Sequence, residues 1–239
     1  MRLDQAVAAR FPQISRRQAR ELIAQRRVLV NERPVAIASR EVRDQDRIAI
    51  IEDTATVVQI LKLTEGFVAV NKPAGMPAQP ARDRKRISLE ELLRSQFKSI
   101  YLVHRIDTAA SGVMIFARTR DAAASLSGLF STRAIRKLYL ARIDGAIDHP
   151  IAIESPIGGK EAVTFVRPRS DGVVEAEIQT GRTHQIRIHL ASIGHPIVGD
   201  RRYGGSKADR LMLHAWKLDH ETIGTIEAPP PDDLIRSGS

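Results

Sequence analysis

Apolar residues at the start of the chain recur at helical spacing. Leu3, Val7 and Phe11 stand four apart, and Pro12 stops the helix they predict. Ser15 opens a second helix, with Gln18 three residues on to complete a capping box. Ala19, Leu22 and Ile23 line its inner face, which leaves Arg16, Arg17, Arg20, Arg26 and Arg27 to project outward. VLVN at 28–31 and DRIAII at 46–51 read as strands, and residues 53–58 as a brief linker. Beyond it the apolar runs alternate between strand and helix. FVAVN at 67–71, VMIFA at 113–117, LYLARI at 138–143 and VVEAEI at 173–178 read as strands. SLEELLRSQF at 88–97 reads as a helix, opened by a Ser88–Glu91 capping box, with Leu89, Leu92, Leu93 and Phe97 facing inward. DAAASLSGLF at 121–130 reads as another. Within 181–204, Ile186, Leu190 and Ile193 predict an amphipathic helix that Gly194 closes. The tail APPPDDLIRSGS is proline-rich and polar and is expected to fray. The pattern predicts an α+β chain without internal repeats: a small α/β module over 1–52, then a larger domain over 59–239 with helices on a mixed sheet.

Composition narrows the chemistry. Aromatics make up only 4% of the chain against 43% hydrophobic residues, so the core must be mostly aliphatic. The absence of cysteine excludes disulfides, thiolate metal sites and cysteine nucleophiles. MRLDQAVAARF is too polar for a secretory signal, and no apolar run approaches the ~20 residues that span a bilayer. A soluble, cytoplasmic protein with no membrane partner is expected. Net charge is +9, and the basic excess is mostly arginine, which forks onto phosphate and stacks on bases. That favours a polyanionic partner, most simply nucleic acid, over a merely solvated basic surface.

Cofactor signatures are missing: there is no GxGxxG after a strand, no P-loop and no HExxH. His184, His189 and His195 are spaced by five and six, which does not place them on one helix face, so no metal site is expected. Asp107, in HRIDTAASGVMIFA at 104–117, sits in a loop feeding an apolar strand. It is either an active-site group or an aspartate that caps local amides. Arg187 lies at the rim of the apolar stripe, where it either takes a carboxylate partner or snorkels to water. Tyr139, in KLYLARIDG at 137–145, is either plain core or a ring platform for a base.

ISRRQARELI at 14–23, VLVN at 28–31 and DRIAI at 46–50 resemble the αL RNA-binding module shared by a small-subunit ribosomal protein and many RNA-modifying enzymes. Arg26 and Gln45 depart from it, standing where glycine is usual. The resemblance implies RNA contacts at Arg16, Arg17, Arg20 and Arg27. NKPAGMPAQP at 71–80, HRID…SG, KLYLA…G and GRTHQIRIHLASIGHPIVGD…YG together resemble the RluA family of pseudouridine synthases, over nearly all of 59–228. Thr108-Ala109-Ala110 replaces the usual charged pair and threonine, and Gln79 replaces the usual histidine.

This second resemblance implies a pseudouridine synthase fold, with a mixed, mostly antiparallel central sheet flanked by helices and loops. It implies isomerisation of uridine in structured RNA without a cofactor. Asp107 is then the catalytic carboxylate, kept charged and aimed by Arg187, while Tyr139 stacks on the base and its hydroxyl serves proton movement. Arg105 fills the gap left by an extruded nucleotide, because a stacked uridine hides its anomeric carbon. His104, Arg182 and His184 are implied substrate contacts, and one of Leu211 or Leu213 floors the pocket. The expected partner is RNA, ribosomal (large subunit) before transfer, and the expected state is a monomer. Two rivals are a non-enzymatic RNA-binding or ribosome-associated protein, and a hydrolase with a second acid or base beside Asp107.

Overall fold

The computed structural model of the chain describes residues 1–24, 26–50, 58–80 and 87–235. Most of the expected linker and the last four residues lie outside them. The chain forms two compact units, Met1–Val57 with Met76–Lys98, and Val58–Gly75 with Ser99–Ser239. No helix of the described residues is long and apolar enough to cross a membrane.

In the first unit α1 (Leu3–Arg10) packs on α2 (Arg16–Ala24), beside a three-stranded sheet of β1 (Val28–Val30), β2 (Arg33–Val35) and β3 (Ile48–Ile50). Strand order is β2-β1-β3, all antiparallel. Leu3, Val7, Ala19, Ile23, Val28 and Ile48 share one buried cluster, as their spacing requires. Ser15 and Gln18 make the capping box, the Gln18 Oε1 accepting the Ser15 amide at 2.8 Å and the Ser15 hydroxyl accepting the Gln18 amide at 3.3 Å. Asn31 leaves the expected strand for a two-residue turn with Glu32, both at positive φ (52° and 66°), the turn that suits a tight hairpin. Pro34 lies in β2, an edge strand, where its missing N–H costs no ladder bond. Arg26 adopts the left-handed φ of 57° that glycine would supply, and its guanidinium meets Glu91 at 3.0 Å. Gln45 takes no positive φ, so glycine is not required there. The helix α3 (Leu89–Gln96) carries the Ser88–Glu91 capping box, with Leu89 and Leu93 buried.

The second unit is built on a ten-stranded sheet. Its strands are β4 (Gln59–Leu63), β5 (Phe67–Lys72), β6 (Tyr101–Leu102), β7 (Ser111–Ala117), β8 (Arg136–Arg142), β9 (Ile151–Ile153), β10 (Thr164–Pro168), β11 (Val173–Ile178), β12 (Leu213–His220) and β13 (Gly224–Glu227). The order is β4-β5-β7-β12-β8-β11-β10-β9, with β13 on β12 and β6 on β7. Among the described residues only the β7–β12 pair is parallel, so the expected mixed, mostly antiparallel sheet is present. Every residue of β7 is buried, the apolar run at 113–117 as its composition requires and Ser111 with its hydroxyl 2.8 Å from His214 Nδ1. Three helices accompany the sheet: α4 (Arg120–Ser131), α5 (Gln185–Ser192) and α6 (Asp232–Ile235). Gly194 ends α5 at φ 84°, with the His195 amide on Leu190 O and the Gly194 amide on Ala191 O, a Schellman closure.

The tail does not fray through residue 235. Leu234 is fully buried, its carbonyl accepts Arg142 Nε at 3.0 Å, and Asp233 pairs with Arg210. Two apolar residues, Leu234 and Ile235, amid prolines and acids were too faint a signal for that helix.

Candidate active site

The site is assembled from the start of α5, the loop before β7, and the strands β8 and β12. Gln185 pins the turn into α5: its Oε1 accepts the Thr180 hydroxyl at 2.6 Å and the Arg182 amide at 3.1 Å, and its Nε2 donates to Val163 O. This locks His184 at the helix N-cap in a left-handed conformation, φ 57° and ψ 25°. A non-glycine residue held there is strained, and such strain concentrates at functional sites.

Asp107 begins a turn in which its carbonyl accepts the Ala110 amide at 3.1 Å. Thr108 O, next along, accepts the Gly75 amide and the Lys72 ammonium, at 2.8 and 3.2 Å. Lys72 is fully buried and also donates to Pro73 O. Burial pushes it down to about 7, while the Asp107 carboxylate acts the other way. Nothing in the sequence pattern marked Lys72 as more than a strand end.

Arg187 finds two carboxylates. Its Nη1 donates to Asp107 Oδ2 at 3.2 Å, and its Nε and Nη2 grip Asp200 at 2.7 and 2.9 Å. The snorkelling alternative is excluded by this pairing and by a residual exposure of 8%. Hydrogen bonding to Asp200 and the two negative charges raise the Arg187 pKa. Asp200 was not singled out from sequence. Burial would raise its carboxyl, but Arg187 outweighs burial and holds it below the ordinary value.

A cleft is lined by Asp107, Tyr139, Arg182, His184, Arg187 and Leu213, with the exposed Arg105 also on its wall. Burial first, and Asp107 second, push the Tyr139 hydroxyl well above the usual phenol range. His184 Nε2 lies 3.8 Å from Asp107 Oδ1, too far for a hydrogen bond, while its Nδ1 meets the Tyr203 hydroxyl at 3.0 Å. Burial lowers its pKa, and Arg187 and Arg202 add to that against Asp107. Arg182 Nε donates to Glu161 O at 3.0 Å.

Of the two leucines left open, Leu213 lines the cleft, whereas Leu211 is buried in the core and is not among its lining residues. His104 requires a correction. It does not line the cleft: its ring stacks on Phe130 at 4.1 Å between centroids, and its Nε2 accepts the Ile115 amide at 2.9 Å. His189 and His195 are likewise committed elsewhere, to Thr164 and Ser155 and to the Asp144 carbonyl.

In the first unit, Arg16 and Arg20 both donate through Nε to the buried Asp4, at 3.0 and 2.9 Å, and Arg2 stands 3.4 Å away. Burial would raise Asp4, but the arginines win and hold it at about 2. Among the described residues Arg17 meets only the exposed Glu21, at 3.3 Å, and Arg27 is partly buried.

An aspartate in a buried ion network at a cleft, on a mostly antiparallel sheet, accompanies a small arginine-rich module in one chain. The model of the RNA pseudouridylate synthase family matches residues 66–192, and that of the S4 domain matches residues 1–48. The chain belongs to the RNA pseudouridylate synthase family, RluA type, with an N-terminal S4 domain. It is an RNA pseudouridine synthase. Among its relatives, the ribosomal large subunit pseudouridine synthase D of Xylella fastidiosa is 34% identical over 292 residues, covering 98% of this chain and 87% of that one. The protein of the same name from Nitrosomonas europaea is 30% identical, covering 98% and 82%. Among solved structures, human RNA pseudouridylate synthase domain containing 1 superposes with a TM-score of 0.62 at 27% identity, over 74% of this chain and 84% of that one.

Proposed function

We propose that this chain isomerises specific uridines of large-subunit ribosomal RNA, with Asp107 acting on a nucleotide flipped into the cleft. The observation that carries the reading is the 3.2 Å bond from Arg187 to one Asp107 oxygen, in a cleft that Tyr139 also lines. The reaction breaks the bond between uracil N1 and the ribose anomeric carbon, turns the base, and joins ring carbon five to the same carbon. The proton on carbon five leaves and N1 gains one, so no electrons are exchanged and no co-reactant is consumed. A carboxylate at the anomeric carbon either attacks it or stabilises its cationic character. Asp107 has an oxygen left open by Arg187 for that role.

Tyr139 offers the ring platform. With its hydroxyl pushed above the usual range, it serves as a hydrogen-bond donor and not as a phenolate. Arg105 fills the space the nucleotide vacates, and Arg182 and His184 contact the flipped nucleotide or its phosphates. The S4 arginines add phosphate contacts that position the RNA without reading it. Ribosomal RNA is favoured over transfer RNA because full-length relatives carry that substrate in their names. Such a substrate places the protein in the cytoplasm.

The test uses RNA carrying uridine tritiated at ring carbon five. Large-subunit ribosomal RNA lacking the modification should release label with the wild-type protein and none with Asp107→Asn. Release from transfer RNA alone would move the substrate, and turnover by Asp107→Asn would remove the proposed carboxylate.

A further inference from the structure

Resting on that reading of Asp107, we propose that Asp200 is a positioning residue for the reaction. It clamps one edge of the Arg187 guanidinium, leaves a single nitrogen for Asp107, and so keeps the second Asp107 oxygen free to meet the ribose. The guanidinium is a rigid planar fork. Left to itself, it would bind a carboxylate through two parallel bonds and occupy both oxygens. Here Asp200 already takes the Nε and Nη2 edge, at 2.7 and 2.9 Å. Only Nη1 reaches Asp107, at Oδ2. Asp107 Oδ1 accepts no hydrogen bond among the described residues, with His184 Nε2 3.8 Å away.

Charge points the same way. Two carboxylates share one guanidinium, so Arg187 is divided between Asp107 and Asp200. Arg187 alone would neutralise Asp107 just where the anomeric carbon gains cationic character. A buried ion pair is also a poor source of stability, since desolvation offsets most of the attraction. Stability is therefore a weak reason for burying the Arg187–Asp200 pair.

The loop that carries Asp200 is built to hold it still. Asp200 Oδ1 also accepts the Arg202 and Tyr203 amides, at 3.1 and 3.3 Å. Glycine is required on both sides of the turn. A Cβ at Gly199 would lie 1.9 Å from Arg210 O, and one at Gly205 1.9 Å from Ile197 O. The same turn sets Tyr203 with its hydroxyl on His184 and its ring 5.1 Å from the Arg187 guanidinium carbon. One loop thus orients both Arg187 and His184, which approach the two Asp107 oxygens at 3.2 and 3.8 Å.

The experiment compares full-length wild type, Asp107→Asn and Asp200→Asn on a large-subunit ribosomal RNA transcript tritiated at uridine carbon five. Turnover, KM, RNA affinity and melting temperature are measured for each. For folded Asp200→Asn, kcat should fall on the order of a hundredfold, as misplacement by about 1 Å can cause. KM and RNA affinity should stay within about twofold of wild type, the pattern of an interaction needed only in the transition state. Unchanged kcat, or a change confined to KM, overturns the positioning role. In either case a dead Asp107→Asn leaves the reading of the site standing, whereas an active one removes that reading. If Asp200→Asn does not fold at the assay temperature, the wild-type protein supplies the test by nitrogen-15 NMR. A clamped Arg187 should show resolved Nη signals and an exchange-protected Nε–H; averaged, rapidly exchanging signals overturn the proposal.

Discussion

In an extended segment successive side chains point to opposite sides, and His104 and Arg105 divide accordingly. Arg105 goes to the cleft, and His104 goes inward to Phe130 and the Ile115 amide. The motif pointed to both residues but not to the side each would face. Burial, helped by Lys137, pushes His104 down to about 3 from its ordinary 6.5. The fold therefore favours the neutral ring. This contribution is complete above about pH 6.5 and is lost as pH falls towards 3. His184 and His214 shift in the same direction. Asp4, depressed to about 2, adds an acid loss only below its ordinary 3.8. His104→Gln keeps an oxygen for the Ile115 amide and removes the titration. Urea midpoints between pH 6.5 and 4 should fall less steeply for the variant than for wild type, and its kcat/KM on RNA should be nearly unchanged. Parallel pH slopes, or a large loss of turnover in folded protein, would contradict this placement. Asp107, Arg187, Tyr139 and His184 could be picked out because each stands in a motif with a distinct local setting. Asp200 and Lys72 could not, because their meaning lies in partners brought near only by folding.

At the scale of elements, capping boxes and apolar spacing located α2, α3, α4 and α5, since those signals are local. The strands β2, β9 and β13 span only three or four residues and offered no periodicity to read. The strand β12 carries lysine, aspartate and histidine among its apolar residues, so its central position in the sheet is set by pairing with β7 and β8. Gly112 shows how narrow that junction is. At φ 116° it lies beside β12, and a Cβ there would sit 2.1 Å from Ala215 O. Backbone cannot retreat as a side-chain tip can. Gly112→Ala should therefore cost roughly 3 kcal/mol or more, from the disallowed φ together with the forced separation of the strands. Chemical denaturation checks this, and a loss below about 1 kcal/mol would mean that the parallel junction can open without penalty.

At the scale of the molecule, the excess of nine positive charges and the two-part pattern were readable, because composition and motif order survive without any knowledge of contacts. The grouping of Met76–Lys98 with Met1–Val57 was not, because no shift in composition announces it. That grouping decides how RNA binding by the S4 arginines should be tested. Cutting the chain at residue 58 would strip residues 76–98 of the segment they cluster with, and a loss of binding would then report misfolding. Asp4→Asn is no better, since it releases three arginines from one buried carboxylate. Arg17 gives a clean probe. Its side chain is 90% exposed and among the described residues meets only Glu21, itself exposed. Exposed pairs of this kind contribute about 0–1 kcal/mol, so Arg17→Gln should leave the melting temperature nearly unchanged. If Arg17 neutralises a phosphate, the variant binds RNA more weakly at low salt. The slope of log affinity against log salt then shrinks in magnitude by about 0.7–0.9, the counterions released by one contact. Because a phosphate contact carries no sequence information, the weakening should be equal for target RNA and for unrelated RNA of the same length. An unchanged slope would place Arg17 off the RNA path, and a loss confined to the target would mean that it reads bases.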